Sequence, residues 1–277
     1  IYTTRSVGPF TPDWTGIASE PFNLSVPEGV INPVLQASDI TDVNAEYIYQ
    51  PFMIQTEDVW DMFFAVHDGG DQAQIGHATS SDGLNWTYDQ IVLDEDFHVS
   101  SPLVFKWGNW YYMVPECVPD YVKLYRTSVV DYPYNWTFVN NLVSGRDFAD
   151  SSIFRYNDTW WLFAGKAGND MCWLYYSDTL DDPDSWIEHP SSPVSTSMDD
   201  AKPAGRNLVF DGDRIVRWGM DSDPVFGEKV RAFEIDELTK TSYSEHEVAE
   251  SPVLESSGSG WNGTAMHHVD PWWIGDR

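Results

Sequence analysis

The sequence predicts an all-β protein: a five-bladed β-propeller whose ring is closed by N-terminal strands, with residues 1–277 forming a single domain and the last blade truncated at the C-terminus. Three observations predict it. A phrase of four short strands recurs about every 50 residues, the length of a propeller blade. The strand phrases are rich in Val, Ile, Phe, Tyr and Trp and are separated by turn residues. A further opening phrase, Asp270-Pro271-Trp272-Trp273-Ile274, stands near the C-terminus.

The first blade opens at Gln50-Pro51-Phe52-Met53-Ile54, continues from Trp60 to Ala65 and from Ile75 to Ser80, and begins its fourth strand at Trp86-Thr87-Tyr88. In the second blade the phrases are Ser101 to Phe105, Tyr111 to Glu116, Val122 to Ser128, and Trp136-Thr137-Phe138. The third runs Asp150 to Phe154, Trp160 to Gly165, Trp173 to Ser177, and Trp186-Ile187-Glu188. The fourth runs Arg206 to Phe210, turns at Asp211-Gly212, and continues Val216 to Asp221, Val230 to Ile235, and Tyr243-Ser244-Glu245. Blades end in phrases such as Ser192-Pro193-Val194 and Ser251-Pro252-Val253-Leu254, and Asn32-Pro33-Val34-Leu35 repeats that phrase near the N-terminus. The N-terminal segment is therefore expected to supply the outer edge of the fifth blade, leaving no long edge exposed. A sandwich with similar strand spacing is the alternative, but a sandwich requires no repeat.

Composition limits the partners. The chain carries 44 acidic against 15 basic residues, a net charge of −29, which repels nucleic acid and anionic membranes. The same surface fits a protein that stays soluble in high salt, where screening removes self-repulsion. No apolar run reaches the roughly 18 residues of a membrane-spanning helix, so no membrane insertion is expected. Cys117 and Cys172 are too few for a disulfide framework and lack zinc-site spacing; both are expected as buried free thiols. Five Asn-x-Ser/Thr triplets, at Asn23, Asn85, Asn135, Asn157 and Asn262, are compatible with an extracellular or lumenal location. Oligomeric state is not written in the sequence.

In a propeller the innermost strands line a central channel. The residues opening them are Gln50, Ser101, Asp150, Arg206 and Asp270, all polar although each begins an apolar strand. They are expected to converge on one funnel, with Glu116 and Asp221 at the same end. The positions ending the second strands are Ala65, Glu116, Gly165 and Asp221, two acids and two small residues that would leave room for a ligand. His98 and His267 each stand three residues before a funnel position, and His268 follows.

Each of these has a plain structural alternative. Asp150 and Asp270 can cap turns, Asp221 can be a solvated loop residue, and Arg206 can be either an ion-pair partner or a substrate clamp. The histidines can be satisfied imidazoles or metal ligands. Trp272 stands where an indole could stack on a sugar face. The chemistry that suits the set is glycoside cleavage, which uses two carboxyl groups across the scissile bond. Asp150, Glu116, Asp270 and Asp221 are the candidate acids; Gln50, His98, Ser101, Arg206, His267 and Trp272 are the candidate substrate contacts. No phosphate loop, zinc signature or nucleophile elbow is present.

Several phrases together carry a resemblance. Phe97-His98-Val99-Ser100-Ser101-Pro102, Tyr112-Met113-Val114-Pro115-Glu116, Asp150-Ser151-Ser152-Ile153-Phe154, Ala204-Gly205-Arg206 and His267-His268-Val269-Asp270-Pro271 resemble the N-terminal domain of glucosamine inositolphosphorylceramide transferase and its microbial relatives, from about Ile31 onward. That domain is similar in fold to the five-bladed furanosidase superfamily of arabinanases, xylosidases and invertases. The resemblance implies a carbohydrate substrate or ligand, with acids projecting into the funnel. No cofactor is required, although some members hold a calcium ion near a histidine, a role that would fall to His268. It also implies two departures. Relatives have an acid where this chain has Gln50, which cannot act as a base, and the fourth-blade acid of arabinanases is Arg206 here. Two function classes follow: a glycoside hydrolase-like enzyme, or a non-catalytic glycan-binding propeller accessory to a glycosyltransferase.

Overall fold

The computed structural model describes Phe22, Leu24 and residues 26–272, apart from 57, 58, 118, 119, 211 and 212. The Asp211-Gly212 turn and the end of the Trp273-Ile274 phrase therefore lie outside the described residues. The chain divides into two compact units, residues 26–148 and residues 149–277 with the N-terminal residues to 25. Each is all-β; no α-helix forms among the described residues.

In residues 26–148 two four-stranded antiparallel sheets follow the chain. The first comprises β1 (Tyr47–Thr56), β2 (Val59–His67), β3 (Ala73–Ser80) and β4 (Thr87–Leu93), and the second β5 (Val99–Trp107), β6 (Trp110–Cys117), β7 (Tyr121–Ser128) and β8 (Thr137–Ser144). Inner strands such as β2 and β5 are buried along most of their length, whereas β4 and β8 are largely open. Their composition explains this: Phe-Phe-Ala-Val fills β2, while polar residues alternate through Thr-Tyr-Asp-Gln in β4. A buried imidazole bolts this unit together. His77, 1% exposed, faces Asp61 and Asp89 through its two ring nitrogens at 3.0 Å each, and the Tyr134 hydroxyl donates to Asp89.

The other unit holds a sheet of β9 (Phe148–Tyr156), β10 (Thr159–Lys166), β11 (Cys172–Ser177) and a two-residue β12 (Ile187–Glu188). Its second sheet orders β13 (Lys202–Pro203), β15 (Arg214–Asp221), β16 (Lys229–Leu238) and β17 (Tyr243–Glu247), with β14 (Leu208–Phe210) on β15 and β18 (Leu254–Glu255) on β16. Its core gathers Trp218, Met220, Val230 and Ala232, capped by Phe22 edge-on against Trp218.

Four of the five expected blades thus form sheets among the described residues. At the fifth position the chain makes only a parallel bridge, Gly205 to Val269, instead of a strand beginning at Asp270. Of the N-terminal phrase, Leu35 is buried with Met62, Phe64 and Ala78 against the first sheet, where its side chain leaves water.

Candidate functional site

The repeat positions share a backbone device. Gln50, Ser101 and Asp150 have φ of 52°, 48° and 40°, the left-handed region that is uncommon for residues other than glycine. In the first two sheets the device is a bulge. Gln50 and Pro51 oppose Phe64 alone, and Ser101 and Pro102 oppose Pro115 alone. An extra residue needs no ladder donor, so proline is accommodated beside it. Bulges re-aim side chains, and here they turn polar groups off otherwise apolar strands.

The fourth sheet enlarges the device. Between the pairs Pro203 with Gly219 and Leu208 with Val216, the four residues Ala204 to Asn207 oppose only Arg217 and Trp218. Arg206 therefore lies in a break between two short strands instead of opening one. Its backbone carbonyl accepts from the Trp218 indole at 2.8 Å, and the Asn207 amide N–H donates to Ser152 Oγ at 3.1 Å.

Within residues 149–277 this break assembles a charged cluster. Arg206 Nε donates to Asp270 Oδ1 at 2.7 Å, with both side chains 2% exposed or less. Trp272 Nε1 donates to the other Asp270 oxygen at 3.0 Å, and its half-buried ring lies 5.5 Å from the Arg206 guanidinium. Gly205 makes this docking feasible: at φ 143° it has no side chain where a Cβ would stand 1.8 Å from the Val269 carbonyl oxygen. Asp150 is paired with Lys202 at 3.0 Å, again with both side chains buried. Asp221, 1% exposed, takes two hydrogen bonds from Arg231 on one oxygen. His267 is half-buried beside Phe226; the loss of water around it lowers its affinity for a proton, Asp150 opposes that effect and Lys202 adds to it. The Asn207 side chain is buried and neither its oxygen nor its nitrogen has a hydrogen-bond partner.

The structure therefore brings Asp150, Arg206, Asp270, His267 and Trp272 into one unit, with Asp221 at the end of the adjoining strand. Gln50, Ser101, His98 and Glu116 belong to residues 26–148. There His98 Nε2 lies 3.1 Å from Ser100 Oγ, and Ser100 sits opposite half-buried Glu116 across the β5 and β6 ladder. The room expected beside the small Gly165 is taken: a Cβ there would meet the Ala149 carbonyl at 2.7 Å, Pro203 at 2.8 Å and Lys202 at 3.3 Å. Gly165 serves to admit β13, which delivers Lys202 to Asp150. No group of three or more His, Cys, Asp or Glu side chains is placed to hold a metal among the described residues, and both oxygens of the acid nearest His268 along the chain, Asp270, face Arg206 and Trp272.

A family model described as glucosamine inositolphosphorylceramide transferase 1, N-terminal, matches residues 19–276. The chain belongs to that family. The glucosamine inositolphosphorylceramide transferase 1 of Oryza sativa subsp. japonica is 34% identical over 257 residues, which cover 87% of this chain and 34% of the relative. That of Arabidopsis thaliana is 30% identical over 258 residues, covering 87% and 32%. The chain spans about a third of the length of these curated relatives. Among solved structures, an exo-β-1,3-galactanase from Phanerochaete chrysosporium with galactose has a TM-score of 0.59 at 15% identity, covering 79% of this chain and 53% of that one. A family 117 glycoside hydrolase of Zobellia galactanivorans scores 0.57 at 16% identity, covering 72% and 68%. Cellvibrio cellulosa α-L-arabinanase complexed with arabinohexaose scores 0.53 at 12%, covering 72% and 77%. At such identities the likeness is one of fold, and it establishes the β-propeller.

Three residues of this transferase-family domain escaped the repeat: Lys202, Asn207 and Arg231. Lys202 had one signal, as one of only six lysines in an acidic chain. Arg231 and Asn207 had none, because ladder partners and hydrogen-bond vacancies exist only once strands are paired.

Proposed function

We propose that the chain is a carbohydrate-active propeller of glycoside hydrolase-like architecture that holds a glycan at the cluster around Asp150, Arg206, Asp270 and Trp272. The observation that carries this reading is the Arg206, Asp270 and Trp272 arrangement: an indole with one half-buried face, fixed edge-on by a carboxylate that is itself fixed by a guanidinium. A rigid aromatic face beside oriented charged hydrogen-bonding groups suits a sugar, which offers an apolar ring face and a rim of hydroxyls. The unfilled donor and acceptor of Asn207 match the dual character of a hydroxyl or water. Solved propellers of this fold have been described with galactose or arabinohexaose bound, and the curated relatives are named glucosamine inositolphosphorylceramide transferase 1, which supports a glycan ligand.

A second reading, a non-catalytic glycan-binding domain accessory to a glycosyltransferase, is favoured by the ion pairs. Asp150, Asp270 and Asp221 each face a cation, and an anchored carboxylate is better suited to hydrogen bonding than to delivering a proton. A glycan array followed by incubation with the hits separates the two. Binding that Trp272→Ala weakens tenfold or more supports the cluster, and release of sugar selects the enzyme. No binding to any glycan, or binding indifferent to Trp272→Ala and Asp150→Asn, overturns the site.

A further inference from the structure

We propose that Asn135 and Asn157 carry N-linked glycans. Of the five Asn-x-Ser/Thr triplets, Asn23 lies outside the described residues, and the structure separates the other four. Asn157 occupies the turn between β9 and β10, and Asn135 precedes β8; both are exposed, with φ of 47° and 55°. The side chain of neither makes a hydrogen bond to the described residues, so each amide stands clear in solvent. Asn85 is exposed, but its Nδ2 donates to Asp82 at 2.8 Å. Asn262 is half-buried, and its Oδ1 accepts from Ser257 at 2.7 Å.

The rest of each triplet has a structural explanation that leaves the amide unaccounted for. Trp136 is 8% exposed and donates to the Pro133 carbonyl, and the Thr137 hydroxyl donates to the Arg126 carbonyl. Thr159 is buried. A left-handed backbone favours asparagine but asks nothing of its side-chain nitrogen. Attachment needs that nitrogen: it forms a bond to the anomeric carbon of an oligosaccharide carried on a lipid pyrophosphate. The bond from that carbon to pyrophosphate breaks, the lipid pyrophosphate leaves, and one amide proton is released. The product retains one N–H and no contact within the fold is lost at Asn135 or Asn157, whereas Asn85 would give up its bond to Asp82.

Placement also keeps each glycan away from the acid of its own sheet. Asn157 lies seven residues along β9 from Asp150, about 23 Å at ~3.3 Å per residue. Asn135 follows Ser128, which pairs with Trp110 at the end of β6 away from Glu116.

The test uses the full chain isolated from its own host. Intact mass is measured before and after peptide N-glycosidase in heavy-oxygen water, and the peptides holding Asn85, Asn135, Asn157 and Asn262 are then sequenced by mass spectrometry. The expected result is an intact mass above that of the bare chain, heavy-oxygen aspartate at positions 135 and 157, occupancy at 85 several-fold lower, and none at 262. The variant N135D/N157D, which keeps a residue that tolerates the left-handed turn, should lose most of the added mass while melting as the unmodified chain does. An intact mass equal to the bare chain overturns the proposal, as does modification concentrated at Asn85 or Asn262.

Discussion

Replacing Arg206 by methionine removes the cation from Asp270 while keeping most of the side chain's volume. The pair is 2.7 Å apart, with side chains 1% and 2% exposed. Removing one partner of a buried pair costs about 3–5 kcal/mol. The guanidinium also faces the Trp272 ring at 5.5 Å, a contact of about 0.5–2 kcal/mol that overlaps this cost and is not added to it. If the loss falls on docking of the segment at Val269 to Trp272, its opening equilibrium rises roughly 150-fold to 5,000-fold. The Val269 amide reports on that opening, since it donates to the Ala204 carbonyl at 2.8 Å. Native-state hydrogen exchange should show its protection falling by that factor. The companion Arg206→Met/Asp270→Asn leaves no unpaired charge and should recover to within about tenfold, because neutralising both partners costs far less than stranding one. Exchange at Val269 unchanged within about threefold in Arg206→Met would refute the view that the pair holds this segment in place.

Three further outcomes are expected. Gly165→Ala sets a Cβ 2.7 Å from a backbone carbonyl and 2.8 Å from Pro203; it should destabilise by about 1–3 kcal/mol in urea unfolding and weaken glycan binding with it, and an unaltered midpoint would remove Gly165 from its role of admitting β13. His267 binds a proton less readily in the fold than its ordinary value of 6.5, so the unfolded chain takes up the proton first as pH falls; its contribution is intact above about pH 6.5 and is lost below it. Glu234, held down by its hydrogen bond to Arg214, acts only below about pH 4.5, so a decline in melting temperature between pH 6.5 and 5 that His267→Gln abolishes identifies the histidine. Cys117 and Cys172 are buried free thiols whose ionisation burial opposes, the latter pushed up to about 12; a thiol reagent at pH 8 should label neither until denaturant is added, and rapid native labelling would contradict their burial.

The backbone device was legible because it repeats. Aligning Gln50, Ser101 and Asp150 by their neighbours placed them at equivalent points, and all three share the left-handed turn. Arg206 fell on the right segment but the wrong geometry, since nothing in Ala204-Gly205-Arg206-Asn207 shows that four residues will oppose two. The acids were found as residue types, while their cations were not: Lys202 reaches Asp150 only because Gly165 is empty, and Arg231 meets Asp221 only across a ladder. The fifth blade rested on one phrase, Asp270 to Ile274, and none of its described residues lies in a strand. Leu35 looked like a blade edge because its Asn-Pro-Val-Leu context matched, and its side chain is buried on the apolar face of the first sheet.

The left-handed turns at Gln50, Ser101 and Asp150 have a consequence for anyone altering this protein's selectivity. At such a φ a β-branched or bulky side chain is strained, while glycine, asparagine and aspartate are tolerated. The polar positions of the repeat therefore accept a short alphabet. A randomised library at these three positions would spend most of its codons on valine, isoleucine, threonine and aromatics that unfold the bulge before any ligand is met, and selection would return the same few small polar residues whatever the bait. Diversity is better placed at Trp272 and Asn207, where no left-handed backbone narrows the choice and the side chain alone decides what is recognised.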